Sequence, residues 1–231
     1  QLATGKILIF GDRQTLGSKV EQAFNRQSEQ FLWVTPGDTF QQQANQFILN
    51  PNSAQDYERL ISTIKAEGHS LAGIIHDWNS RHVDLEPANI ADRVLAESAY
   101  SVMFLGQALL KHHTAAIPLL LTTYSTYAVT ENALQGVHQC LGATFNQILN
   151  QEDPSLKTKV VDVVPTEIYP EQLSQLWAKE LPTEVQGEGI VAIRGQQRFI
   201  RGLKPIQFLT PQSGNCLPQN DDTYLITGGT S

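Results

Sequence analysis

Short apolar runs alternate with helix-periodic stretches along most of the chain. Ile7–Phe10 is fully apolar and ends in Gly11, and Leu16, Val20, Ala23 and Phe24 then recur at helical spacing. That pattern predicts a strand, a tight turn and a helix. Phe31–Thr35 predicts a second strand closed by Pro36-Gly37, and the Gln/Asn-rich stretch up to Asn50 predicts a surface loop. Pro51-Asn52-Ser53 opens a helix with Asp56 and Glu58 in its first turn, Tyr57, Leu60, Ile61 and Ile64 on one face, and Gly68 as its stop. Leu71–His76 predicts a third strand. The weakly patterned Asp77–Pro87 leads to one long helix from about Ala88 to Lys111, whose wide apolar face (Val94 to Leu109) predicts burial against a sheet or a partner.

Ile117–Thr122 predicts a fourth strand, apolar throughout as a parallel strand covered on both faces should be. Leu134, Val137, Leu141, Phe145, Ile148 and Leu149 mark the apolar face of the next helix. Val160–Val164 predicts a fifth strand, and Pro170-Glu171 starts a helix carrying Leu173, Leu176, Trp177 and Leu181. Ile190–Ile193 and Arg198–Ile200 flank Arg194-Gly195-Gln196-Gln197 as an edge hairpin. Strands alternating with helices predict an α/β fold with a doubly wound, mostly parallel sheet. Residues 1–209 form this unit, 210–222 read as a Pro- and Gly-containing linker, and 223–231 read as one more strand, Thr223–Thr227, running into Gly228-Gly229. Both ends read as cut from a longer polypeptide.

The candidate chemistry lies in the turns. A dinucleotide-binding turn of the short-chain reductase kind reads Gly-Gly-x-Gly-Gly-x-Gly, because glycines let backbone N–H groups reach a pyrophosphate. Here Gly11 and Gly17 remain, while Asp12 and Gln14 stand in place of glycines. Asp12 brings a negative charge to the anion position, and Gln14 brings a side chain where backbone should approach, so this turn is expected to bind no cofactor. At the other end Gly228 and Gly229 open a second such turn that stays incomplete within the sequence.

Composition narrows the classes further. The 231 residues are 41% hydrophobic and 17% charged, with a formal net charge of −7, which gives no reason to approach nucleic acid or an anionic membrane. Two cysteines, Cys140 and Cys216, make no disulfide framework, and no apolar run approaches the roughly 20 residues of a membrane span. A reducing, cytoplasmic setting is expected.

Other candidates have plainer readings. His76-Asp77 are neighbours on a strand and point to opposite faces, so Trp78 packing over a core edge is the expected role of that segment. His112-His113 diverge by about 100° on a helix and have no ligand-spaced companions, so no metal is expected. Ser125 follows the fourth strand, where a reductase would keep its serine, but the Tyr and Lys positions beyond it fall near Gly136 and Cys140. Cys140 itself reads as a small apolar filler. No catalytic residue is expected in the chain.

In order and spacing, ILIFGDRQTLG, VTPGDTF, FILNPNSAQDYERLI, GIIHDWN, LLLTTYS, LNQEDPSLKTKVVDV and AIRGQQRFIRGLKP resemble the structural, non-catalytic subdomain of a ketoreductase or pseudo-ketoreductase from a modular type I polyketide synthase. That family has a degenerate Rossmann-like, short-chain reductase-like fold. The resemblance implies a following catalytic subdomain that opens as Tyr224–Gly229 does, binds NADPH, and reduces a β-ketoacyl group on an acyl carrier protein with a Ser, a Tyr and a Lys. None of those three carries over: the residues four positions after Tyr57, Tyr100, Tyr124, Tyr127, Tyr169 and Tyr224 are Ile61, Phe104, Ala128, Glu131, Leu173 and Gly228. The implied partners are the catalytic subdomain and other synthase domains, with the carrier protein reached only indirectly. The face of Val94–Leu109 and the closing hairpin are the candidate contact surfaces. The alternatives are the inactive half of a complete NADPH-dependent β-ketoacyl-carrier-protein reductase, and a ligand-binding module at the sheet's switch point.

Overall fold

In the computed structural model, residues 2–82, 87–112, 117–129, 134, 136–184 and 189–205 are described, with backbone alone for 82 and 87–90. The linker 210–222, the strand Thr223–Thr227, Gly228-Gly229, Cys216 and His113 lie outside the described residues.

The chain forms β1 (Lys6–Phe10), α1 (Arg13–Phe24), β2 (Phe31–Pro36), β3 (Gln41–Gln43), β4 (Gln46–Leu49), α2 (Ala54–Ala66) and β5 (Leu71–His76). It continues with α3 (Pro87–Val94), a π-helical turn (Leu95–Tyr100), α4 (Ser101–Lys111), β6 (Pro118–Tyr124), α5 (Cys140–Glu152), β7 (Lys157–Val163), α6 (Pro170–Glu180), β8 (Ile190–Arg194) and β9 (Gln197–Ile200). The strands make one sheet in the order β3-β4-β2-β1-β5-β6-β7-β8-β9. The pairings β3–β4 and β8–β9 are antiparallel and all between them parallel. This is the doubly wound, mostly parallel sheet that the pattern predicts, with a hairpin at both edges.

Alternation along the strands divides the core. Ile7 and Ile9 of β1 pack with Leu16, Val20, Leu173 and Trp177 beneath α1 and α6. Leu8 and Phe10 pack with Tyr57, Leu60, Ile61, Ile64 and Leu105 beneath α2 and α4. Beyond these, α5 closes a smaller cluster over β6, β7 and β8 with Val102, Leu121, Ala143 and Leu149.

Four expectations are corrected. The Gln/Asn-rich stretch is not a loop: β3 and β4 fold back on each other through Ala44 at φ +50°, and β4 joins β2 in parallel. Phe47 and Leu49 are buried while Gln46 is exposed, an alternation that a composition rich in Gln conceals. The long helix contains a π turn, which places Ala96, Glu97, Ser98 and Ala99 inward together. Its apolar face is internal, with Val94, Ala99, Val102, Leu105 and Leu109 all buried, so of the two coverings the pattern allows it is the sheet and not a partner that covers it. The face of the next helix is only partly the expected one: Leu149 is buried and Phe145 packs against the same cluster, but Leu134 and Val137, which precede α5, and Leu141 and Ile148 are exposed, while α5 also buries Gly142, Ala143 and Asn146. Glycines make that possible, because a Cβ on Gly106 or Gly142 would collide with Leu149 or Ser98 as α5 lies against α4 and the π turn. Cys140, at the start of this helix, is exposed and fills no core.

Candidate functional site

In a doubly wound sheet, ligands bind outside the carboxyl ends of the strands where the strand order reverses. Here that point lies between β1 and β5, since the chain passes from β1 outward to β2 and later returns to the other side of β1. The loops after β1, β5 and β6 therefore define the candidate site.

After β1, Gly11 donates its N–H to the carbonyl of Val34, and Asp12 caps α1. The Asp12 carboxylate accepts from the Gln14 N–H at 2.9 Å and from the Thr15 hydroxyl at 2.5 Å. It thus covers the positive end of the helix that would otherwise attract an anion. Gly11 and Gly17 have ordinary φ, and a Cβ on each would meet its neighbours at no less than 3.4 Å.

After β5, three consecutive side chains alternate in direction. His76 Nε2 lies 2.6 Å from Ser101 Oγ, in a hydrogen bond to α4. Asp77 accepts from the Tyr124 hydroxyl at 2.7 Å. Trp78 returns to the side of His76, packing with it against Phe10 and donating its indole N–H to the Val34 carbonyl at 3.1 Å. Burial pushes the Asp77 carboxyl up to about 7, with the hydrogen bonds from Tyr124 and other hydroxyls working the other way. The Tyr124 hydroxyl is itself raised, by burial first and then by Asp77. His76 and Asp77 therefore belong to separate hydrogen-bonded pairs.

After β6, Ser125 is held at φ +50°, donates its N–H to Val163, and accepts through its carbonyl from the Gly136 N–H. Gly136 lies so close to the Tyr124 carbonyl that any Cβ there would overlap the oxygen. The tyrosine position of a reductase thus falls where this backbone admits no side chain. Gln139 completes the corner by accepting from the Tyr124 N–H and donating to the Asn79 carbonyl.

Sequence reasoning missed a second buried group farther along. Asp162, at the end of β7, accepts from the Thr123 hydroxyl, from the N–H groups of Thr126 and Tyr127, and from Arg194 at 2.6 Å. Arg194 also donates to the Tyr127 carbonyl, so the pair fixes the loop after β6 to the closing hairpin. A second charged group ties the same hairpin to α6. Lys159 bonds the Glu180 carbonyl and both oxygens of Thr183, and Glu180 takes a two-pronged contact from Arg198 at 2.7 and 3.1 Å. Burial lowers Lys159. Burial alone would raise Glu180, but Arg198 and Lys159 outweigh it and hold the carboxyl low. The only sequence signal for either group was an arginine or lysine inside an otherwise apolar strand.

Among the described residues no cluster of His, Cys, Asp or Glu is arranged to hold a metal ion. The His112 carbonyl accepts from Lys65 at the end of α4. No helix of the described residues is long and apolar enough to cross a membrane.

This arrangement is a doubly wound, mostly parallel sheet with capped and hydrogen-bonded turns at its carboxyl ends. Residues 5–180 match the beta-ketoacyl synthase-like, N-terminal family, and the chain belongs to that family. No curated protein matches it. Among solved structures it is similar to an "adenylation, ketoreductase, and pseudo Asub multidomain structure of a keto acid-selecting NRPS module", at 25% identity and a TM-score of 0.75, covering 87% of this chain and 17% of that one. It is also similar to an N-terminal ketoreductase from the macrolactin assembly line, at 14% identity and a TM-score of 0.60, covering 91% of this chain and 43% of that one. A short-chain dehydrogenase/reductase from Serratia marcescens shares the fold at 12% identity and a TM-score of 0.56, with 83% of this chain and 96% of that one covered. The chain thus spans less than half of either assembly-line protein. The resemblance to a polyketide synthase ketoreductase and the Rossmann-like fold expected from it are both borne out.

Proposed function

We propose that this chain is the non-catalytic structural subdomain of a polyketide synthase ketoreductase, a scaffold that supports a neighbouring catalytic domain in the cytoplasm and binds no nucleotide itself. The observation that carries the reading is the outer face of α5. Leu141 and Ile148, two turns apart on α5, are 43% and 41% exposed, and Val137, in the short turn just before the helix, is 51% exposed, while the opposite side of α5 is already packed against the sheet. The occupant we assign to this face is the catalytic half of the same ketoreductase. The 43% coverage of the macrolactin ketoreductase supports this, because a unit like this one accounts for less than half of that protein. The unit ends in the linker 210–222, and the acyl carrier protein meets the partner and not this chain.

The closed turns support the non-catalytic part. Asp12 caps the helix where phosphate would sit, and Gly136 leaves no room for a general-acid tyrosine beside Ser125. A complete ketoreductase would bring NADPH and its Ser, Tyr and Lys in the other half.

NADPH consumption with a β-ketoacyl thioester tests the reading, comparing the 231-residue chain with the same chain plus its natural continuation. The short chain is expected to be silent, and turnover by it would overturn the reading. Turnover by the longer polypeptide identifies a working ketoreductase. A folded but silent one identifies a pseudo-reductase scaffold.

A further inference from the structure

The indole of Trp78 lies across the switch point of the sheet. Its backbone leaves β5 two residues after His76, its ring meets the edge of Phe10 at the end of β1 at 5.2 Å between centroids, and its N–H reaches the Val34 carbonyl near the end of β2. One side chain therefore spans the carboxyl ends of three adjacent strands, β5, β1 and β2. The carboxyl ends of the strands at the switch point are where a doubly wound fold receives its ligand. The ring is fully buried, and it also touches the His76 ring at 5.4 Å. Val34 accepts from both Gly11 and Trp78, so the indole N–H shares a carbonyl with the degenerate turn itself. On the other face of the sheet, Asp12 puts a carboxylate at the α1 terminus where a phosphate would bind.

We propose that Trp78 is a built-in substitute for a nucleotide base: its indole fills a base-sized site at the switch point, and removing it opens a pocket for a planar adenine-type ring. This rests on the cofactor-free reading above and explains how the fold keeps its β5–β1–β2 corner packed without a bound cofactor. A flat heteroaromatic ring with one N–H donor satisfies the same apolar walls and the same carbonyl that an adenine amino group could reach.

The test uses the 231-residue chain and thermal unfolding. Trp78→Ala should lower Tm by about 10 °C, and millimolar adenosine or indole, present from expression onward, should restore about 3 °C or more of it. Trp177→Ala removes an equally buried indole beneath α6, on the opposite face of the sheet, and should not respond to adenosine. Trp78→Phe, which keeps a ring against Phe10, should fold and respond to neither ligand. Adenosine stabilising both alanine variants alike, or neither, overturns the proposal, as does a Trp78→Ala chain that stays insoluble with ligand present. The wild-type chain with NADPH forms a separate arm. Stabilisation there would overturn the cofactor-free reading, whereas a response confined to Trp78→Ala would leave that reading intact.

Discussion

A carboxylic acid at the end of β5 is held out of water with hydroxyl groups as its partners. Asp77 is buried, and its carboxyl is pushed up to about 7 from an ordinary value of 3.8. The folded state therefore binds a proton that the unfolded chain releases, and stability must fall as pH rises from near 4 through 7 and then level off. The shift corresponds to roughly 4 kcal/mol across that window. Thermal unfolding between pH 5 and 8 should show this slope, and Asp77→Asn should flatten it and raise Tm at pH 8. A wild-type Tm that climbs over this range would contradict the assignment. Ser125 offers a second check, since it is held at φ +50°. Ser125→Gly should stabilise by about 1 kcal/mol in a denaturant titration. Asp12 was legible as a charge in the wrong place for a nucleotide. Its service as the cap of α1 was not, because capping depends on the turn's dihedral angles.

Elements were legible wherever one face meets the core and the other meets water. The α2 helix buries Tyr57, Leu60, Ile61 and Ile64 as its spacing requires, with Ser53 as its cap. The pattern failed where packing and periodicity disagree. On α5, Gly142 and Ala143 turn inward beside Leu149 because Gly142 and Gly106 let two helices approach closely, and Leu141 and Ile148 are left outside. A hydrophobic period marks an apolar face without saying which partner covers it. The hairpin β3–β4 was hidden for the opposite reason, since its outward positions are glutamines. Three substitutions examine element packing. Gly136→Ala should cost about 3 kcal/mol, because its Cβ has no space beside Tyr124. Glu180→Ala should cost about 3 kcal/mol by leaving Lys159 buried without its carboxylate. Arg198→Ala should cost only about 1 kcal/mol, since that side chain is partly in water. Equal losses from Glu180→Ala and Arg198→Ala would argue that the buried lysine is satisfied by Thr183 alone.

The molecule as a whole is a doubly wound, mostly parallel sheet with apolar residues left exposed on the outer side of α5. The mostly parallel, doubly wound sheet and the closing hairpin β8–β9 followed from local pattern, but the strand order, the parallel addition of β4 and the hairpin β3–β4 needed long-range pairing to appear. The buried Asp162–Arg194 pair, which seats the closing hairpin against the loop after β6, was likewise beyond local pattern. These features leave the α5 face as the surface through which the chain would act on its neighbour. Co-expression with a separately encoded catalytic half measures that action most directly, reading soluble yield and NADPH turnover of the catalytic half with wild-type chain and with Leu141→Glu/Ile148→Glu. The account predicts a soluble, active catalytic half with the wild-type chain and loss of at least tenfold with the double variant, which itself stays folded because both side chains face water. A catalytic half that is equally soluble and active alone, or equally active with the double variant, would contradict it.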